Sequence, residues 1–436
     1  MAFAIKRDKI SSEVASTIRK MLSLTPKVIG NKYSRDEVTE PITFYHMEDG
    51  VVHLPYLFAA SLLQIIPNND IAYPSLSWEF KGELLPRQVD VEATSWKQIQ
   101  TYGTSTLGLY PGFGKTILGA KLASRAKLLT VVLVHRDPLI KQWKTTFETF
   151  TTGKVWCVGE KNPPSLCEII ICMNTRWSQI PKAMRDSVGF LIIDEAHAFC
   201  TPSNVGCLLS FHPKYVLAES ATLERDDGME SMIYAICGSH GIYREFDGPF
   251  SVVKVNTGFK PVRKMNIMQG TDWHALVSES AFCLNRNRLV VELVKSNLNR
   301  TVLILASMKA YAELLNKMLV DEGVSSDFLC GSKKGYNDAK VLCGTISKIG
   351  TGFDQATFCD NFSGNKFDLL ILVSSIKKYS VLVQNVGRVF RSENPTILYL
   401  VDDDSIFEGH WKICKRWFVK RGGQVSECSF KCSETS

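Results

Sequence analysis

From about Leu84 onward, short apolar runs rich in β-branched residues alternate with helical stretches. The runs are Leu128 to Val134, Glu168 to Cys172, Phe190 to Ile193 and Tyr215 to Ala218. Such alternation predicts βαβ units and a parallel sheet, and strands this apolar suit a sheet covered by helices on both faces. A second block repeats the pattern with Thr301 to Leu305, Val341 to Thr345, Leu369 to Val373 and Thr396 to Val401. Between the blocks, Asp247-Gly248-Pro249 to Pro261 reads as a linker. Ahead of both, a polar helical pattern (Ser11 to Leu24), a turn signal at Glu48-Asp49-Gly50 and an apolar run from Val51 to Ile66 suggest a small accessory module. The expected fold class is α/β, with two tandem domains. The expected boundaries are an N-terminal module over 1–80, a first domain over 81–246, a linker over 247–262, a second domain over 263–422 and a flexible tail over 423–436.

The 436 residues suit two or three domains. Hydrophobic residues at 45% and charged residues at 22% exclude a disordered, collagen-like or coiled-coil chain. No apolar run reaches the ~18 residues of a membrane span, and the N-terminal MAFAIKRDKISSEV has no signal-peptide stretch, so no membrane partner is expected. The net charge of +7 permits nucleic-acid binding without demonstrating it. The 13 cysteines are odd in number and show no CxxC pair, which reads as reduced thiols in an intracellular protein. Cys428 and Cys432 would be half a metal site with no second pair nearby, so no zinc is expected.

Three motifs carry chemistry. Leu109 to Thr116, LYPGFGKT, lies between an apolar segment and a helix-like stretch, Ile117 to Ala126. A Gly-rich turn there aims backbone N–H groups at a phosphate, and the helix dipole adds to them. Lys115 would reach the β- and γ-phosphates of ATP and Thr116 would ligate Mg²⁺; Gly112, Phe113 and Gly114 form the turn. The strict pattern wants glycine at position 109, where this chain has leucine. The second motif is Phe190 to His197, FLIIDEAH. Asp194 at a strand end would hold Mg²⁺ and Glu195 would orient or deprotonate the attacking water. The plainer reading is a solvated acidic turn, which the pairing with Lys115 and Thr116 disfavours. The third is Gln384 to Arg391, QNVGRVFR, where Gln384, Gly387, Arg388 and Arg391 share one face if the segment is helical. Either this is a basic solvated face, or the two arginines act as fingers on a phosphate presented from outside their own domain.

These motifs in this order resemble superfamily 2 helicases of the DEAH-box-like kind, which are built on two RecA-like domains. The resemblance covers about residues 84 to 401. LLPRQ resembles the upstream motif, which implies that Gln88 reads adenine. LVHRDPLIKQW and CMNTRW resemble motifs Ia and Ib, implying nucleic-acid contacts at Arg136 and Thr175. Ser220-Ala221-Thr222 matches motif III, so Ser220 and Thr222, with His197, would couple hydrolysis to domain movement. TVLILAS resembles motif IV, ending at Ser307. GTISKIGTGFD resembles motif V, in which Thr345 would touch the nucleic-acid backbone and Gly352 and Asp354 would line the nucleotide cleft. GFGKT, LIKQW and the N-terminal module are similar to the branch of the repair helicase XPB, the phage UvsW-type helicases and the poxvirus transcript-release helicase. That branch implies a large DNA virus of iridovirus type, action in the host cytoplasm or nucleus or in the virion, and transcription or repair machinery as a partner.

Three departures stand out. Gly331 to Thr345 is too short for the helix usual there, Asn361 to Phe367 adds a turn after motif V, and Leu85 replaces an arginine.

The leading expectation is an ATP- and Mg²⁺-dependent motor on nucleic acid, on single-stranded or duplex DNA, with RNA not excluded. The alternative from a different class is an ATP-gated clamp or recruitment factor that does not separate strands. Five long basic side chains from Lys412 to Arg421 surround Trp411, Trp417 and Phe418. They suit either stacked bases or an amphipathic helix with its aromatics inward. Asp402-Asp403-Asp404 reads as a solvated loop.

Overall fold

The computed structural model describes residues 2–27, 40–65, 68, 71–160, 166–221, 225, 227–266, 270–350 and 352–430. The chain divides into one unit of residues 1–109 and 113–244 and another of 110–112 and 245–436.

In the first unit a seven-stranded sheet runs in the order Ile242–Arg244, Thr104–Leu109, Tyr215–Ser220, Phe190–Asp194, Thr130–Val134, Ile169–Met173 and Val155–Cys157. All its pairings are parallel. The strands TVVLV and FLIID are buried along their whole length, as a sheet covered on both faces requires. The helices so far are α1 (Ser12–Met21), α2 (Tyr56–Leu63), α3 (Pro86–Tyr102), α4 (Lys115–Ala126) and α5 (Asp137–Phe150). Local chemistry sets their ends. Ser11 accepts from the Val14 N–H to start α1, and α3 opens on a proline and stops at Gly103 with φ of 76°.

The N-terminal residues form an antiparallel sheet of Ala2–Lys6, Val51–Pro55 and His46–Glu48. The apolar run from Val51 breaks after Pro55 into a strand and then α2. This module has no core of its own. Phe44, Leu54 and Tyr56 belong to one continuous cluster with Leu208, Phe211 and Ile233. The Ala2 N–H donates to the Phe211 carbonyl at 2.9 Å and the Tyr56 hydroxyl to the Lys214 carbonyl at 2.8 Å. An independent module over 1–80 is therefore corrected: too few apolar residues are available there to close a core alone.

The second unit holds another all-parallel sheet, ordered Ser326–Leu329, Val341–Thr345, Val302–Ala306, Leu369–Leu372, Thr396–Val401, Ser251–Asn256 and Gln424–Ser429. Two expected boundaries fail here. The linker over 247–262 contains the strand Ser251–Asn256, an interior member of the sheet. The tail over 423–436 contains Gln424–Ser429, paired with that strand over six residues. Both strands, SVVKVN and QVSECS, mix polar with apolar residues rather than running apolar, so the neighbouring turn residues outweighed them.

In the helix Ser405–Lys420, Trp411, Trp417 and Phe418 are buried while Lys412, Lys415 and Arg416 face solvent. The aromatics are core, not a stacking surface. Asp402 is also no solvated residue: it is buried and bonded to the equally buried Arg286 at 2.7 Å, while Asp404 caps the helix and pairs with Arg263. Between Gly331 and the strand Val341–Thr345 only the short strand Tyr336–Asn337 forms, pairing with Cys359–Asp360. The missing helix is thus real, and the turn at Asn361 (φ 61°) follows directly on that pairing. The cysteines among the described residues are free thiols, most of them buried; Cys432 lies outside the described residues. No described helix is long and apolar enough to cross a membrane.

A side-chain contact also links the N-terminal sheet to the segment ahead of Tyr215: His53 Nδ1 and His212 Nε2 lie 2.9 Å apart. Burial, the chain's amino terminus and His53 push His212 down to about 3. His53 is lowered by burial and by His46, against an opposing pull from Glu48. An unfolded histidine titrates near ~6.5. Between those values the folded state binds fewer protons than the unfolded state, so stability is complete above about 6.5 and falls as pH drops toward 3. Melting curves at pH 7.5 and pH 5 should therefore show a larger acid-induced drop in the parent than in His212→Gln; equal drops would remove this pair as the cause.

Candidate active site

Parallel pairing places the carboxyl ends of adjacent strands side by side, where open α/β sheets bind ligands. Leu109, Ser220, Asp194, His135 and Asn174 end or follow five consecutive strands of the first sheet.

Leu109 is the wholly buried last residue of its strand, so the turn begins after it and glycine is not required there. Gly112 and Gly114 take φ of 91° and 103°, which only glycine adopts readily. Gly114 also touches Gln88, whose Nε2 would come within 2.2 Å of an added Cβ. The Gln88 amide is bonded to backbone at both ends: Nε2 donates to the Phe113 carbonyl at 2.9 Å, and Oε1 accepts from the Leu85 N–H at 2.9 Å. One N–H and one lone pair remain for another partner. Lys115 heads α4 and its Nζ donates to the Leu109 carbonyl at 3.0 Å. Thr116 Oγ1 accepts from Gln142 at 3.1 Å.

Asp194 is buried and accepts from the Trp143 indole at 2.8 Å. Burial and the neighbouring Glu195 push its carboxyl up to about 7, against the pull of the indole and Lys115. Glu195 takes the left-handed conformation, φ 51° and ψ 54°, which is costly for a side-chain-bearing residue and recurs at functional sites. His197 Nδ1 lies 3.4 Å from Glu195 Oε2 and 2.8 Å from Ser220 Oγ. His197 and Ser220, expected to couple hydrolysis to domain movement, are therefore in contact; Thr222 lies outside the described residues.

Glu219 was not legible as a site residue. It pairs in register with Asp194, is fully buried, and among the described residues neither of its oxygens has a hydrogen-bond partner. Burial and the Asp194 charge hold it well above the usual carboxylate range. Its only signal was a lone acid in the apolar strand YVLAES. Gln142, Trp143 and His135 were likewise missed as neighbours of the acids; burial lowers His135 to about 4. Two buried carboxylates, Asp194 and Glu219, and the partly buried Glu195 thus surround one lysine. That deficit of positive charge fits a hard divalent cation, for which Thr116 and Asp194 are the expected oxygen donors. No cluster of three metal-ligating side chains occurs among the described residues, as expected for Mg²⁺ that takes most of its ligands from phosphate and water.

Of the expected nucleic-acid contacts, Arg136, at the cap of α5, and Thr175 and Ser307 are exposed. Thr345 is buried at the end of its strand.

In the second unit, the helix Tyr379–Val386 ends before Arg388, and the chain continues in turns with i→i−3 bonds. The single helical face expected for Gln384, Gly387, Arg388 and Arg391 does not exist, because Gly387 caps the helix. The arginines still converge on motif V. Arg388 donates to the Phe353 carbonyl at 2.8 Å and the Gly350 carbonyl at 2.6 Å. Arg391 pairs with Asp354 at 2.6 Å. Burial would raise Asp354, but Arg391 and Thr357 outweigh it and hold the carboxyl below its usual range. Gly352 has φ of 70°.

The family model for the type III restriction enzyme res subunit matches residues 82–225. A protein of Invertebrate iridescent virus 6 named as a helicase is 30% identical over 404 residues, 86% of this chain and 89% of its own. A protein of Frog virus 3 named as a helicase is 27% identical over 399 residues, 89% of each chain. The solved structure of S. cerevisiae Dbp5 bound to RNA and ADP BeF3 superposes with a TM-score of 0.54 at 12% identity, covering 86% of this chain and 93% of that one. That likeness shows the fold, two tandem RecA-like domains. With an intact phosphate loop, the Asp194-Glu195 pair and a relative this similar over most of both lengths, the chain belongs to the family of superfamily 2 helicases of large DNA viruses, ATP-dependent enzymes that act on nucleic acid.

Proposed function

We propose that this helicase works on DNA, and that ATP sits on the phosphate loop of the first unit with Gln88 at the adenine. The observation that carries the assignment is the line of Asp194, Glu195, His197 and Ser220 along adjacent strand ends, with Glu195 held in a strained backbone conformation. Lys115 leaves the Leu109 carbonyl to neutralise the β- and γ-phosphates. Thr116 and Asp194 would hold Mg²⁺, which would supply further positive charge to the phosphates. Glu195 takes a proton from the attacking water. The bond from His197 to Ser220 transmits the change to the end of the neighbouring strand. Arg388 and Arg391 are the proposed sources of positive charge at the transferring phosphoryl group. Arg136, Thr175 and Ser307 are the proposed backbone contacts, and the branch the sequence resembles favours DNA and a partner in transcription or repair.

Glu195→Gln should keep ATP binding and lose turnover by ~10²-fold or more, the usual worth of a positioned base. Lys115→Ala should lose both. Turnover measured alone and with single-stranded DNA, duplex DNA or RNA tests the substrate class; stimulation by RNA only would overturn the DNA reading. Glu195→Gln turning over within threefold of the parent would unseat Glu195.

The two arginines should separate. Arg388 satisfies two backbone carbonyls, so Arg388→Ala should cost about 1–3 kcal/mol and lower the melting temperature as well as turnover. Arg391→Ala should reduce turnover by ~10³-fold with the melting temperature nearly unchanged, because its partly exposed pair with Asp354 contributes little stability. Parental turnover by Arg391→Ala would return it to the role of a solvated basic residue.

A further inference from the structure

Two consecutive side chains of α5 reach the two proposed magnesium ligands. Gln142 Nε2 donates to Thr116 Oγ1 at 3.1 Å, and Trp143 Nε1 donates to Asp194 Oδ2 at 2.8 Å. Thr116 lies in the first turn of α4 and Asp194 at the end of a central strand, so one helix spans ligands from two different elements.

The atom accounting leaves room for a cation. A threonine hydroxyl has two lone pairs; the Gln142 amide takes one and the other stays open. The Asp194 carboxylate gives Oδ2 to the indole and takes a hydrogen bond from the Glu195 backbone, and its four lone-pair sites still leave room for a cation. An indole N–H only donates, so Trp143 cannot itself ligate a cation or take a proton. It can only hold the carboxylate in place.

The surroundings hold Trp143 rigidly. Its side chain is fully buried and its ring stacks on Phe147 with centroids 5.6 Å apart. On its other side the ring packs against Gly119 in the middle of α4, where an added Cβ would lie 2.7 Å from Trp143 Cη2 and 2.7 Å from Glu219 Oε1. A glycine inside a helix costs ~1 kcal/mol relative to alanine. Here it allows α4, the indole and the buried acid to meet.

We propose that Gln142 and Trp143 are positioning residues that fix Thr116 and Asp194 in the geometry that binds magnesium with ATP. The proposal rests on reading Thr116 and Asp194 as the metal ligands. Partners that orient metal ligands typically carry ~10–100-fold in metal affinity.

The test is binding of a fluorescent, non-hydrolysable ATP analogue to the full chain, with Mg²⁺ and with EDTA. Trp143→Phe keeps the ring and removes the donor; Gln142→Met keeps the length and removes the amide. Each should bind the analogue in EDTA within about twofold of the parent. Each should lose ~10-fold or more of the gain that Mg²⁺ confers, and recover it at correspondingly higher Mg²⁺. If Trp143→Phe does not fold, the less buried Gln142→Met carries the test. A gain equal to the parent's in a folded variant would overturn the proposal, as would an equal loss with and without Mg²⁺, which would make the contacts purely structural. If the parent itself shows no gain with Mg²⁺, the metal-ligand reading fails, and the proposal with it.

Discussion

The register of one strand pair, Asp194 beside Glu219, sets the electrostatics of the first unit. Neighbouring parallel strands present equivalent positions side by side, so two acids at the same level must share one buried space. Neither is solvated: burial raises both, and the Asp194 charge raises Glu219 further. Buried like charges are costly unless a cation offsets them. Lys115 is the nearest permanent one, and in this structure it rests on the Leu109 carbonyl. The site is therefore short of positive charge in a place built from oxygen donors, which explains why magnesium with a nucleotide suits it.

The same constraint explains the packing behind the acids. Gly119 opens α4, Trp143 fills the opening, and its donor ends on Asp194. Core packing and the metal ligands are thus one arrangement. In the second unit the arginines show the opposite division of labour. Arg388 binds the Gly350 and Phe353 carbonyls and so ties them to the turn after Gly387, while Arg391 holds a partly exposed ion pair with Asp354, the contact it is proposed to exchange for a phosphate. Two arginines three residues apart therefore differ in what each would cost the fold to lose.

Much of the protein was legible from its order of residues. The phosphate loop, the acidic strand end and both blocks of apolar strands are local patterns, each produced by a few neighbouring side chains, and the strands formed close to where their runs lie. The N-terminal module, the strand Ser251–Asn256 and the strand Gln424–Ser429 were less legible. A strand of mixed polarity with polar neighbours looks like a loop until another strand pairs with it, and a small sheet looks independent until its apolar face is covered.

The sequence by itself determined the residue types, the motif order and hence the chemistry proposed for them: phosphate binding at Lys115, acid at Asp194 and Glu195, positive charge at Arg388 and Arg391. Only the tertiary structure decided how those groups are held. Glu219 next to Asp194, Gln142 on Thr116, Trp143 on Asp194 and Arg388 on two carbonyls are contacts between residues 25 to 51 positions apart. Spacing along a chain encodes which face of its own helix or strand a side chain occupies. It does not encode which other element will pack there, because that follows from burial summed over the whole core.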